Sequence, residues 1–156
     1  MQTSIITFEE RIASGETVRA LSLKQPYADL FVNHNKIETR TYKSTYRGLV
    51  LIHASGQPYT ETQVGNISGI FQFGRIYDAV KSHFSKLPKG VALAMAELYD
   101  CRNMRADQEN ETFVKYAAGR NCWYFANMRK VEPFPFKNSL GMPVLTEDII
   151  KQIKFI

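Results

Sequence analysis

Leu49 to Ala54 reads LVLIHA, with Gly48 before it and Ser55 after it. So short a run, apolar at nearly every position, is expected as a strand covered on both faces. It therefore demands a sheet with other elements packed above and below it. The rest of the chain supplies candidates. Val18 to Leu23 (VRALSL) alternates loosely and predicts a strand that leads into a polar corner. Pro26 fits the first position of a helix, where a missing N–H costs nothing. Tyr27, Leu30 and Phe31 recur at helical spacing, and Asn33-His34-Asn35 ends that helix, asparagine tolerating the left-handed conformation.

Residues 37–42 (IETRTY) predict a second strand, with Glu38, Arg40 and Tyr42 on one face and Ile37, Thr39 and Thr41 on the other. A polar loop carrying Lys43 and Arg47 joins it to the apolar strand. Residues 90–101 predict a long strand in which Glu97 falls in phase with Val91, Leu93 and Met95. Residues 122–131, CWYFANMRKV, predict an aromatic strand, and Pro133 and Pro135 mark an irregular edge beyond it. Helices are expected around Phe8 and Ile12, stopped by Gly15; within 57–87, interrupted by Gly65 and Gly69; over 107–118, with Phe113, Tyr116 and Ala117 inward; and over 146–153, opened by Thr146. Strands follow one another without regular crossover helices. That order predicts an α+β domain around a small antiparallel or mixed sheet, open to curling into a barrel.

The chain has 156 residues, a length that fits one domain over 1–156. Apolar content is 44% and charged content 22%, as in ordinary globular chains, and no apolar run is long enough to span a membrane. The N-terminal residues include acids where an export signal has an apolar core, so a cytoplasmic location is expected. Cys101 and Cys122 lack metal-ligand spacing and are expected as free thiols in a reducing compartment. The formal charge of +5 permits a polyanionic partner without requiring one.

Four groups of residues are candidates for chemistry. Ser22-Leu23-Lys24-Gln25-Pro26-Tyr27 hands a strand over to a helix, where unpaired N–H groups and Lys24 would together seat a phosphate or carboxylate; a capped helix with a solvated lysine reads the same way. Glu38 and Arg40 make either a structural ion pair or a pair that faces a cavity, the glutamate accepting from a base amino group or acting as a general base. His53 and Ser55 end the apolar strand, but no G-x-S-x-G elbow accompanies them, so a serine hydrolase is not expected. Trp123, Tyr124 and Phe125 serve either as core or as a base-stacking surface. No metal site and no cofactor are expected, because no histidine has partners at ligand spacing.

The blocks ALSLKQPYA (20–28), IETR (37–40), YRGLVLIHAS (46–55) and GVALAMAEL (90–98) together resemble the ASCH family, a relative of the PUA RNA-binding fold. The resemblance covers roughly 18–131. It implies a small mixed PUA-like β-barrel with flanking helices, a helical insert near 57–87, and a cleft between barrel and first helix lined by the helix start and the motif G-x-K-x-x-E-x-R. Glu38 and Arg40 match that motif. Its glycine position falls on Asn33 and its lysine position on Asn35. Lys36 comes one place later, which on a strand is the opposite face. Some family members remove the acyl group from acetylated cytidine with a lysine, a threonine and a glutamate from a later strand. Glu97 best matches that glutamate, Thr39 or Thr41 supplies the hydroxyl, and Lys24 or Lys36 would have to replace the lysine.

Two readings follow from the resemblance. In the first, the chain binds RNA, transfer RNA included, or a nucleotide-like small molecule. Lys24, Gln25, Tyr27, Glu38, Arg40 and Tyr42 would form its cleft, Lys43 and Arg47 would reach backbone phosphates, and His53 and Ser55 would stand at the rim. In the second, it is an amidohydrolase of acylated cytidine using Glu97, Lys24 and Thr39. Asn35 at the lysine position favours the first.

Overall fold

The apolar run becomes an interior strand with both faces covered. A computed structural model describes residues 6–60, 63 and 85–156. Strands β1 (Val18–Leu23), β2 (Glu38–Arg40), β3 (Gly48–Ala54), β4 (Val91–Asn103) and β5 (Asn121–Lys130) form one mixed sheet in the order β1-β3-β4-β5-β2. β1 runs parallel to β3 and the other pairings are antiparallel. Around the sheet lie α1 (Phe8–Ala13), α2 (Tyr27–Asn33), α3 (Glu109–Thr112) and α4 (Glu147–Ile150).

β3 divides the core. Leu49 and Leu51 pack with Phe8, Val18, Ala20, Met95, Val131 and Leu145 on one face. Val50, Ile52 and Ala54 pack with Leu21, Ala28, Phe31, Leu98 and Trp123 on the other. Each large apolar side chain buried in this way contributes roughly 1.5–3 kcal/mol. No polar face is left on β3, which is why its sequence shows no alternation.

The sheet curls. The β3–β4 register shifts between Ile52 and His53, and the β4–β5 register shifts between Met95 and Glu97 and again between Leu98 and Asp100. Such irregularities bend a strand and increase its twist. The curl brings the two edge strands together: Arg40 Nη2 on β2 donates to the carbonyl of Ser22 on β1 at 3.2 Å. A seam therefore lies between the ends of the sheet, as in a barrel that stops short of closing.

Several expected boundaries move. β2 spans only Glu38–Arg40: the Ile37 N–H turns to the Glu111 carbonyl at 2.9 Å, and the Tyr42 carbonyl accepts from the Trp123 indole at 3.0 Å. α2 begins at Tyr27, with Pro26 in the capping position after a cis peptide bond. The helix expected over 107–118 is a 3₁₀ turn (Ala106–Gln108) followed by α3, which stops where Phe113 adopts φ 57°. Phe113 is buried, whereas Tyr116 is exposed rather than inward. α4 is shorter than 146–153. The helix expected within 57–87 falls almost entirely outside the described residues.

Candidate functional site

A cleft of about 570 Å³ opens at the seam, between α2, the ends of β1 and β2, and residues 114–120. The most buried charged groups of its lining are Lys36 and Glu38, 4% and 6% exposed. Lys36 Nζ stands 3.5 Å from Glu38 Oε1 and 3.2 Å from the Ile37 carbonyl, to which it donates, and lies over the Tyr27 ring at 4.8 Å. Glu38 Oε1 also accepts from the Thr39 N–H at 2.7 Å, and its Oε2 lies 3.6 Å from Arg40 Nη2. Burial pulls the Lys36 ammonium below the ordinary lysine range, and the neighbouring carboxylate only partly offsets this.

The chain reaches this arrangement through a short turn. After α2, Asn35 adopts φ 55° and the Lys36 N–H bonds the Leu30 carbonyl at 3.2 Å. Lys36 thus lies before the strand begins, and two-residue alternation does not govern it. It enters the cleft beside Glu38 instead of pointing to the opposite face. Arg120, from the turn before β5, donates to Thr39 Oγ1 at 2.8 Å. Lys24 lies over the Tyr59 ring at 5.2 Å, and Tyr27 meets Tyr59 edge-on with centroids 5.3 Å apart. Burial raises the Tyr27 hydroxyl well above the usual tyrosine range.

A second cavity, about 710 Å³, adjoins the first and shares Ser22, Arg40, Ser55 and Leu140 with it. Its far wall is the irregular segment 135–141. A hydrogen-bond relay crosses it: Asn138 Nδ2 donates to Ser22 Oγ at 2.8 Å, Ser22 Oγ lies 2.8 Å from His53 Nδ1, and His53 Nε2 lies 2.9 Å from the Phe136 carbonyl. A carbonyl only accepts, so Nε2 carries the ring proton and Ser22 donates to Nδ1. Burial lowers the basicity of His53, consistent with a neutral ring.

The residues singled out from sequence divide into three sets. Lys24, Tyr27, Glu38, Thr39, Arg40 and Ser55 line the first cleft, and His53 lines the second cavity with Arg40 and Ser55. Glu97 and Arg47 lie elsewhere, in a third cavity beside Arg11 and Tyr46. There Glu97 Oε2 accepts from Arg11 Nη2 at 3.0 Å, in a cavity whose lining includes neither Lys24, Lys36 nor Thr39, so the expected catalytic grouping is not brought together. Gln25, Tyr42 and Lys43 line none of these cavities. Gln25 is wholly buried, its Oε1 accepting from the Asp29 N–H at 2.9 Å and its Nε2 donating to the Pro88 carbonyl at 2.9 Å. Tyr42 packs edge-on against Trp123, and Lys43 is exposed.

The anion seat expected at the helix start is filled from within. The N–H groups of Tyr27 and Ala28 bond the Lys24 carbonyl, and that of Asp29 bonds Gln25. Trp123 is buried in the core rather than offered for stacking. Sequence reasoning missed Arg120, Lys115, Tyr59 and Leu140 in the cleft lining; they arrive from three separate loops, Lys115 and Arg120 from the same one, and none carries a local pattern. Both cysteines are free and buried. Among the described residues no cluster of three or more histidine, cysteine or acidic side chains gathers, and no helix is long and apolar enough to cross a membrane.

Comparison with curated proteins finds no match to the chain. A family model, the ASCH domain, matches residues 21–135, a span that contains β2–β5, the second half of β1, and both ends of the seam. That match covers well over half of the chain, and the α+β architecture with its curled sheet agrees with the PUA-like fold of the family. The chain belongs to the ASCH domain family.

Proposed function

We propose that this ASCH domain binds RNA or a nucleotide-like ligand in the cleft at the sheet seam. The observation that carries this reading is the charge of the lining: among the described residues Lys24, Lys36, Arg40, Lys115 and Arg120 surround a single carboxylate, Glu38. Lys24 and Lys115 are exposed and suit phosphates. Glu38 is buried and fixed by cations on either side, so it suits a donor such as a base amino group. Tyr27 and Tyr59 give an aromatic wall against which a base can lie. The test is the affinity for short single-stranded RNA as salt is raised. The logarithm of the binding constant should fall by roughly 0.7 for each neutralised phosphate per logarithmic unit of salt. Lys24→Ala and Lys115→Ala should each reduce that slope. Absence of binding at low salt, or binding indifferent to salt, overturns the reading.

One observation favours a second reading, amidohydrolysis of an acylated cytidine. Lys36 occupies the cleft with its basicity lowered, beside Glu38 and within the same wall as the Thr39 hydroxyl. An amine of lowered basicity gives up and takes back a proton more readily than an ordinary lysine. In this reading Glu38, the carboxylate of the cleft lining, takes the acid–base role and Glu97 none. Release of cytidine and acetate that is abolished by Lys36→Met but unaffected by Glu97→Gln would support it. Loss of turnover in Glu97→Gln would overturn that assignment.

A further inference from the structure

Leu140 is fully exposed, and it lines both cavities. A single exposed leucine is ordinary on a protein surface. One standing on the shared lip of two cavities is placed to be covered by whatever fills both. Arg40 lies on the same boundary. Its Nη2 is held by the Ser22 carbonyl and lies near Glu38, while its Nη1 has no hydrogen-bond partner among the described residues. A guanidinium group so held, with its Nε buried, keeps Nη1 to donate to a phosphate oxygen. Beyond it, the relay through Ser22 and His53 uses one N–H of Asn138, and the Asn138 Oδ1 accepts from none of the described residues. The amide keeps a second N–H and its carbonyl oxygen, the donor and acceptor types that engage a base edge such as N6/N7 of adenine. Both cavities fall in the size range of small-ligand sites, roughly 300–1,000 Å³.

We infer that the ligand is a single strand engaged through two successive nucleotides, one base in each cavity, with Leu140 wedged between the bases and Arg40 on the phosphate that links them. This rests on the proposed nucleotide-binding function and narrows its ligand class. Apolar wedges between successive bases are a general means of unstacking them. The geometry explains why the lining of the first cleft does not end at Glu38 but continues past Ser22 and Ser55 into a cavity with a different polar wall.

The experiment compares CMP, AMP and the RNA dinucleotides CpA and ApC by calorimetric titration at low salt. The wild-type protein, Leu140→Ala and Asn138→Ala are used, with circular dichroism confirming that each variant is folded. Leu140 is fully exposed, so its truncation leaves the core intact. A dinucleotide should bind the wild type at least about tenfold more tightly than either mononucleotide, the scale of one added stacked base. Leu140→Ala and Asn138→Ala should each remove most of that gain, read as the ratio of dinucleotide to CMP affinity in the same variant, since both residues act on the second nucleotide. Equal affinity for mononucleotides and dinucleotides would overturn the two-nucleotide site and leave the proposed function standing. Variants that weaken all ligands alike would overturn the wedge. Failure of every ligand to bind would overturn the proposed function and this inference with it.

Discussion

Glu38 and Glu97 are both strand glutamates with a cation at hydrogen-bond or ion-pair range, yet they occupy different electrostatic worlds. Glu38 lies at the floor of the cleft, 6% exposed, between Lys36 and Arg40. Glu97 keeps 29% of its side chain in solvent and pairs with Arg11, which also bonds Glu16. Water screens the second pair and leaves it little net energy. The first pair is removed from water, so the loss of either partner leaves a buried group without its compensation. Position on a strand does not make a carboxylate useful; the dielectric around it and the cavity it faces do.

The sharpest way to break this contrast is to remove one partner of each pair. Glu38→Gln should cost about 3–5 kcal/mol of stability, because it strands the buried Lys36 ammonium; urea unfolding measures it. A cost below about 1 kcal/mol would place Glu38 in the same class as Glu97.

The next effect is a pH dependence. Lys36 titrates below 10.5 in the folded chain. Between its folded value and 10.5 the unfolded chain holds a proton that the folded chain lacks, so stability should rise with pH through that window. Tyr27 works in the opposite sense above pH 10, where the unfolded tyrosine loses a proton that the folded one retains. The rise should therefore be sought below pH 10, and it should disappear in Lys36→Met.

A smaller slope is expected on the acid side. His53 is held below 6.5, so the unfolded chain takes up a proton first and stability should fall as the pH drops below 6.5. His53→Gln should flatten that limb. The smallest effect belongs to Glu97→Gln, with a loss of at most about 1 kcal/mol that shrinks further in high salt. A larger, salt-resistant loss would show that the Arg11 pair is more sequestered than its exposure implies.

The sequence disclosed most where local pattern and tertiary role coincide. β1, β3 and the end of α2 lie where apolar runs and asparagines put them, since these elements answer to their own neighbours. Lys36 escaped because the alternation argument assumed a strand from Ile37, whereas the left-handed Asn35 and the late start of β2 place it outside any strand period. Glu97 misled for a related reason. A register shift between Met95 and Glu97 interrupts β4, so being in phase with Val91 and Leu93 did not fix which cavity it met. α3 ended early at Phe113, a residue whose type gives no hint of a positive φ. Arg120, Asn138 and Leu140 come together only through the fold, and no spacing in the sequence could have joined them to Glu38.

The seam between β1 and β2 has a consequence for association between molecules. An edge strand normally presents a row of free backbone groups on which another chain can add a strand. Here the β1 edge is occupied by 143–145, with the Ala20 N–H bonded to Pro143 and the Leu145 N–H to Val18, while Arg40 covers the Ser22 carbonyl. β2 is only three residues long and faces inward across the gap. The curl that opens the cleft thus leaves little template for sheet-to-sheet aggregation. The proposed recognition site and the covered sheet edges arise from the same incomplete closure.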